Sequence, residues 1–310
     1  MDATPIGTLE FIGTATVLMR VAGFTILTDP NFLHAGDHVH IGYGLHAKRL
    51  TNPSRELESL PPLDFVVLSH LHEDHFDRYV TEHLARTTPI LTTPHAARSL
   101  ARMGFSGAYG LPTWKRVRVD GTGGTVTIAA MPGAHAPGIL ARALPAVMGT
   151  LFDFADNAGR RLRMYISGDT LVNERLHEIP ARYPDIDIAL LHLGGTRVLG
   201  LMVTMDGRQG VRAMQIVAPR IAVPIHYDDY DRFRSPLSDF ERAVDEAGLR
   251  ERVRFLARGE TLALAPSLGS ALAAAGVFDA FSDGDADVDA ASDGARDDEG
   301  PSVRTDPFSR

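Results

Sequence analysis

VLSHLHEDHFD, residues 67–77, sets three histidines and two acidic residues into the six positions from His70 to His75, directly behind the apolar run DFVVLS. That run is short and β-branched with no polar alternation, which reads as a strand buried on both faces. Polarity begins where it stops. His70, His72, Asp74 and His75 therefore fall on a loop at the strand's C-terminal edge, ahead of a helix opened by Asp77. Scaffolds that alternate strands and helices present reactive groups on such loops. On a helix His70 and His72 would point to different sides, whereas an irregular loop can turn all four groups inward. Imidazole and carboxylate are donors suited to zinc, manganese or iron. The chain has no cysteine, which excludes thiolate metal sites, iron–sulfur clusters, disulfides and a cysteine nucleophile.

The same placement recurs at three other strand ends. His135 follows TVTIAAMP, Asp169 follows RMYIS, and His226 closes RIAVPIH. A lone histidine or aspartate after a strand is commonly a turn or cap residue. Four strand ends carrying ligand-type side chains form the pattern a shared metal site requires.

Further apolar runs read as strands: TLEFIG, TVLMRVAG, TILTDP, PILTTP, RVRVD, GTLFDFAD and DIALLHLG. Helical spacing covers Asp77 to Arg86, His95 to Met103, Asp206 to Val217 and Pro236 to Ala247, with Gly104 and Gly248 as stops. Strands come first and then alternate with helices, which predicts an α/β fold of two sheets flanked by helices rather than one doubly wound sheet.

Of the net charge of −8, the acidic C-terminal stretch holds most: residues 277–310 carry ten acidic residues and three arginines, leaving 29 acidic and 28 basic residues before them. A near-neutral body offers no basic stripe for a phosphate backbone, so nucleic acid is not an expected partner. Residues 266–310 are rich in Asp, Gly, Ser and Ala, too poor in large apolar groups to offset the entropy of ordering, and read as a disordered tail behind a catalytic domain at 1–265. No leader-type segment and no run of about 20 apolar residues occurs, so a soluble cytoplasmic protein without integral membrane association is expected.

These residues resemble the metallo-β-lactamase fold. Its H-x-H-x-D-H signature is matched by His70, His72, Asp74 and His75, and its later His, Asp and His by His135, Asp169 and His226, over a stretch from about Leu9 to Leu264. FIGTATVLMRVAGFTILTDPNF is similar to the opening of the branch holding L-ascorbate 6-phosphate lactonase and N-acylphosphatidylethanolamine-hydrolysing phospholipase D, although Gly13 precedes Thr14 where many of those have histidine. The resemblance implies a four-layer αββα sandwich. It also implies two divalent metal ions, zinc first with manganese or iron as substitutes. His70, His72 and His135 would hold one, Asp74, His75 and His226 the other, with Asp169 bridging. The implied activity is that of a dinuclear metal-dependent hydrolase using a metal-bridging hydroxide on a small-molecule ester, lactone or phosphodiester, with Asp74 helping to manage the proton. The competing classes are an iron-dependent redox enzyme on the same fold and a non-catalytic metal-binding protein.

Other residues carry weaker signals. His192, at the end of DIALLHLG and before two glycines, is a candidate second-sphere donor or proton carrier. Asp228 or Asp229 could orient a ligand imidazole. His34, His38, His40 and His46 fit no ligand spacing and read as a solvated loop near the pocket mouth. Ile139, Leu140, Leu144, Val147 and Met148 could line that mouth and favour an apolar substrate portion, with Arg142 meeting an anionic one.

Overall fold

The computed structural model describes residues 4–41, 46–136, 146–198 and 200–267. The first apolar runs fold as an antiparallel meander, β1 (Gly7–Gly13), β2 (Thr16–Val21) and β3 (Phe24–Thr28). A small hairpin follows, β4 (His38–His40) with β5 (His46–Lys48). Then come β6 (Phe65–Val67), α1 (Arg78–His83), β7 (Ile90–Thr92), α2 (Pro94–Arg102) and β8 (Ala108–Gly110), in which the strands run parallel to β3. The second half holds β9 (Arg116–Gly121), β10 (Gly124–Pro132), β11 (Met148–Asp156), β12 (Arg161–Ile166), α3 (Glu178–Arg182) and β13 (Ile188–His192). It continues with the hairpin β14 (Arg197–Val198) and β15 (Leu201–Met202), α4 (Gly207–Val217), β16 (Ile221–Ile225), α5 (Leu237–Glu246) and β17 (Thr261–Leu264).

The two large sheets run β17-β1-β2-β3-β6-β7-β8 and β16-β13-β12-β11-β10-β9. Their inner faces share one core, in which Phe11, Val17 and Ile26 of the first sheet meet Ile128, Leu151 and Met164 of the second. The first sheet's outer face carries a separate core with Val80 of α1 and Leu100 of α2. On the far side α4 and α5 contribute Met214 and Phe240. The result is the αββα layering, with each sheet buried on both faces as its β-branched runs require.

Several expected boundaries move. α1 stops at His83 rather than Arg86 because Leu84 turns extended (ψ 134°) and buries its side chain under the sheet. α2 opens one residue early on Pro94, where a missing N–H costs nothing and Thr93 Oγ1 accepts from Ala96 N. The two small hairpins, β8, α3 and β17 escape the sequence reading. They are short, and β17 exists only through its pairing with β1. Ser267 still bonds to the body through Arg161 and Asp187, two residues past the expected domain end. The acidic stretch from 268 lies outside the described residues. Among the described residues no helix is long and apolar enough to cross a membrane.

Strand direction decides where the chemistry gathers. β12, β13 and β16 are mutually parallel, and β10 runs the same way because both it and β12 are antiparallel to β11. Their C-terminal ends therefore share one edge, and so do those of the parallel pair β3 and β6 in the facing sheet.

Candidate metal centre

Six strand ends deliver the site. Asp29 follows β3, His70 to His75 follow β6, His135 follows β10, Asp169 follows β12, His192 closes β13 and His226 follows β16. Donor atoms of His70, His72 and His135 lie within 4.8 Å of one another, as do those of Asp74, His75, Asp169 and His226. Asp169 joins the groups: its Oδ2 is 3.2 Å from His75 Nε2 and 4.0 Å from His70 Nε2, and its Oδ1 is 3.7 Å from His226 Nδ1. His226 Nε2 stands 3.6 Å from Asp74 Oδ2.

Hydrogen bonds behind the rings aim them. Asp169 O accepts from His135 Nδ1 at 3.0 Å and Leu193 O from His226 Nδ1 at 3.1 Å. A carbonyl can only accept, so each Nδ1 carries a proton, and Nε2 is the nitrogen left to face a metal once the ring is neutral. Ser69 Oγ donates to Asp29 Oδ1 at 2.9 Å and is left to accept from His70 Nδ1 at 3.0 Å, which fixes His70 the same way. Backbone strain is concentrated here too. His226 adopts φ 62° and Asp29 φ 36°, left-handed values that a non-glycine residue holds only when its surroundings enforce them. Gly168 (φ 60°) lets the chain turn before Asp169; a Cβ there would lie 2.9 Å from Met148 O.

The family model for the beta-lactamase superfamily domain matches residues 21–227, the span holding every one of these groups. The chain belongs to the beta-lactamase superfamily. A metal-dependent hydrolase of Methanosarcina mazei is 30% identical over 207 residues, covering 67% of this chain and 84% of its own length. One of Ignicoccus hospitalis is 29% identical over 239 residues, covering 74% and 95%. An isothiocyanate hydrolase from Delia radicum gut bacteria shares the fold, with a TM-score of 0.70 at 20% identity over 83% of this chain and 99% of that one. The chain is thus a metal-dependent hydrolase of the superfamily.

In this hydrolase the donor set fits a metal. Asp74 Oδ1, His75 Nε2, Asp169 Oδ1 and His226 Nε2 are buried without a hydrogen-bond partner, an arrangement that is costly unless a cation completes it. Charge distribution agrees. Burial and the neighbouring imidazoles hold His70 well below the ordinary histidine range, and burial beside His135 brings His72 down to about 4, so both are neutral donors at pH 7. Burial also opposes charge on His75, but Asp169 and Asp74 override it and raise its pKa well above normal. The same opposition resolves the same way at His226, raised by Asp169 and Asp74. Burial works against ionised Asp169, yet His226 and His75 keep it well below the usual carboxylate range. Protons on those two histidines balance the buried carboxylates in the metal-free chain.

Other expected residues land differently. His192 is fully buried behind His75, with ring centroids 5.8 Å apart, and its Nε2 is 3.6 Å from Asp29 Oδ2. Asp29, His75 and His192 form a third cluster of donors. Neither Asp228 nor Asp229 orients His226, whose Nδ1 is taken by Leu193. Asp229 instead gathers Thr14 N, Thr51 Oγ1 and Arg258, tying the β1–β2 turn to the segment that leads into β17. His38, His40 and His46 are exposed on the β4–β5 hairpin, whose Ala47, with neighbouring Ile41, lines the pocket; exposed His34 pairs with Glu56. Ile139, Leu140, Arg142 and Leu144 lie outside the described residues, while Val147 and Met148 are buried and do not line the pocket. Its apolar wall comes from Ile41, Val198, Val203 and Phe233.

Asp29 and Ser69 were missed by sequence reading. Asp29 had a usable signal: TILTDP places it just after a strand, like the other acidic and imidazole groups. A larger cleft of about 380 Å³ beside the β14–β15 hairpin, with Arg197, Arg208, Arg234 and Arg242 on its walls, contains none of the donor groups.

Proposed function

We propose that this chain is a dinuclear metal hydrolase acting on a small-molecule ester, lactone or phosphodiester, with zinc as the first candidate metal and manganese or iron as substitutes. One observation carries the proposal: donors from four separate strand ends converge, and four of their buried polar atoms have no hydrogen-bond partner. His70, His72 and His135 would hold one cation, and Asp74, His75 and His226 the other, with Asp169 between them. A pair of divalent cations would lower the pKa of a shared water and stabilise negative charge on the attacked group.

The chain's own groups do the rest. Ser69 Oγ and the carbonyls of Asp169 and Leu193 accept from Nδ1 of His70, His135 and His226, which turns Nε2 of each ring toward the centre, where His70 Nε2 lies 2.9 Å from His72 Nδ1. Asp74 lines the pocket with Oδ1 unpartnered, placed to take a proton from the attacking water. His192, buried away from the pocket, is a positioning residue for His75 and Asp29. A small-molecule substrate in a cytoplasmic setting accords with the near-neutral body and with the narrow site.

Elemental analysis of purified protein with hydrolysis of ester, lactone and phosphodiester substrates, before and after chelation, tests the proposal. Two equivalents of metal and activity restored by re-addition are expected. Protein that cannot be loaded, or whose activity ignores chelation, overturns it.

A further inference from the structure

Thr196 is placed by both its backbone groups and by neither of its side-chain ones. Its N–H donates to Thr204 Oγ1 at 2.8 Å, and its carbonyl accepts from Val203 N at 2.9 Å, both at the open end of the β14–β15 hairpin. Its hydroxyl has no partner although the residue is only 6% exposed. The side chain lines the same pocket as His72, Asp74, His135 and Asp169. Among the described residues, two other buried hydroxyls lack partners, those of Thr92 and Tyr165, but neither lines this pocket. A rigidly held hydroxyl beside the reacting centre, left without a bond by the protein, is completed by something that enters the pocket.

The remaining walls indicate what enters. Ile41, Val198, Val203 and Phe233 are apolar, and the exposed Arg232 directs its Nε to His46 O. The enclosed space is about 20 Å³, room for a single small group such as a carbonyl oxygen. We propose that Thr196 positions the substrate: its hydroxyl donates to the carbonyl oxygen of a compact ester or lactone whose hydrocarbon part lies against Ile41, Val198, Val203 and Phe233. This rests on the hydrolase reading of the same site. A hydroxyl donor suits a neutral carbonyl, and the apolar walls suit a hydrocarbon substituent.

The test compares wild type, Thr196→Val and Thr196→Ser as metal-loaded protein, reading metal content, thermal midpoint, kinetics on p-nitrophenyl butyrate and bis-p-nitrophenyl phosphate, and the Kd of butyrate as a non-reacting probe. Val is isosteric and loses only the hydroxyl. Expected are unchanged metal content and midpoint, with kcat/KM on the butyrate ester and butyrate affinity both lowered by about tenfold to a hundredfold. The Ser variant should stay within about threefold of wild type. A Val variant within about twofold on both readouts overturns the proposal, as does a Ser variant as impaired as Val, or an effect confined to the phosphodiester. Thr196→Ala replaces Val if the latter does not fold. Butyrate binding that depends on Thr196 without any turnover would sink the hydrolase reading alone; turnover indifferent to Thr196 would sink this inference alone.

Discussion

Ser69 donates both its backbone N–H, at 2.8 Å, and its hydroxyl, at 2.9 Å, to one oxygen, Oδ1 of Asp29. The bond joins the end of β3 to the end of β6, and the same hydroxyl backs the Nδ1 of His70 and lies 3.4 Å from that of His75. One small side chain thus touches rings from two of the donor clusters. Replacing it by Ala should lower metal affinity by about tenfold to a hundredfold while leaving the fold intact, measured by chelator competition. Equal affinity in the variant would show that the rings are held by other contacts.

Metal uptake should be strongly pH-dependent. His75 and His226 hold protons above the ordinary histidine range in the metal-free chain, because Asp169 and Asp74 outweigh the effect of burial, and a ligand nitrogen must lose its proton. Affinity should therefore fall as pH falls, by up to about a hundredfold per pH unit where both protons must be displaced. Calorimetric titration in buffers of different ionisation enthalpy should register about two protons released. Release of none would show that these imidazoles are already neutral.

Acid stability of the metal-free protein has a separate source. Burial disfavours the Asp29 carboxylate, but His192 and His75 more than compensate and bring its pKa to about 2 from 3.8. A depressed folded-state pKa contributes stability above the unfolded value, lost as pH falls through the folded one. The contribution is about 2 kcal/mol above pH 4, fading toward pH 2. Asp29→Asn should flatten the fall in unfolding free energy across that window; a curve parallel to wild type would exclude Asp29 as the cause.

His192→Asn separates positioning from proton transfer. A buried positioning residue should, when changed, weaken metal binding and lower kcat without moving the inflections of the pH–rate profile. Loss of one inflection with metal content unchanged would instead make His192 a proton carrier.

Gly168→Ala is expected to cost more than about 1 kcal/mol, since φ is 60° and the new Cβ would meet Met148 O at 2.9 Å and Ser69 Cβ at 3.2 Å. Because Gly168 adjoins Asp169, metal occupancy should fall with the melting midpoint. A variant as stable and as fully loaded as wild type would refute the packing account.

Much of this molecule follows from local pattern. Strand runs such as DFVVLS and RIAVPIH declare themselves by β-branched content, and ligand-type residues directly after them declare the site, because strand ends open onto loops whatever the rest of the chain does. His70, His72, Asp74, His75, His135, Asp169 and His226 were all legible on that ground. Tertiary structure decided the partnerships: that Leu193 rather than Asp228 or Asp229 backs His226, that Asp29 braces the loop after β6, and that the apolar pocket wall comes from Val198, Val203, Phe233 and Ile41. Such contacts join residues far apart in sequence, and strand order alone fixes which ends meet. A hydroxyl such as that of Thr196 has no local signature at all, since only packing determines whether a side chain finds a partner or faces a pocket.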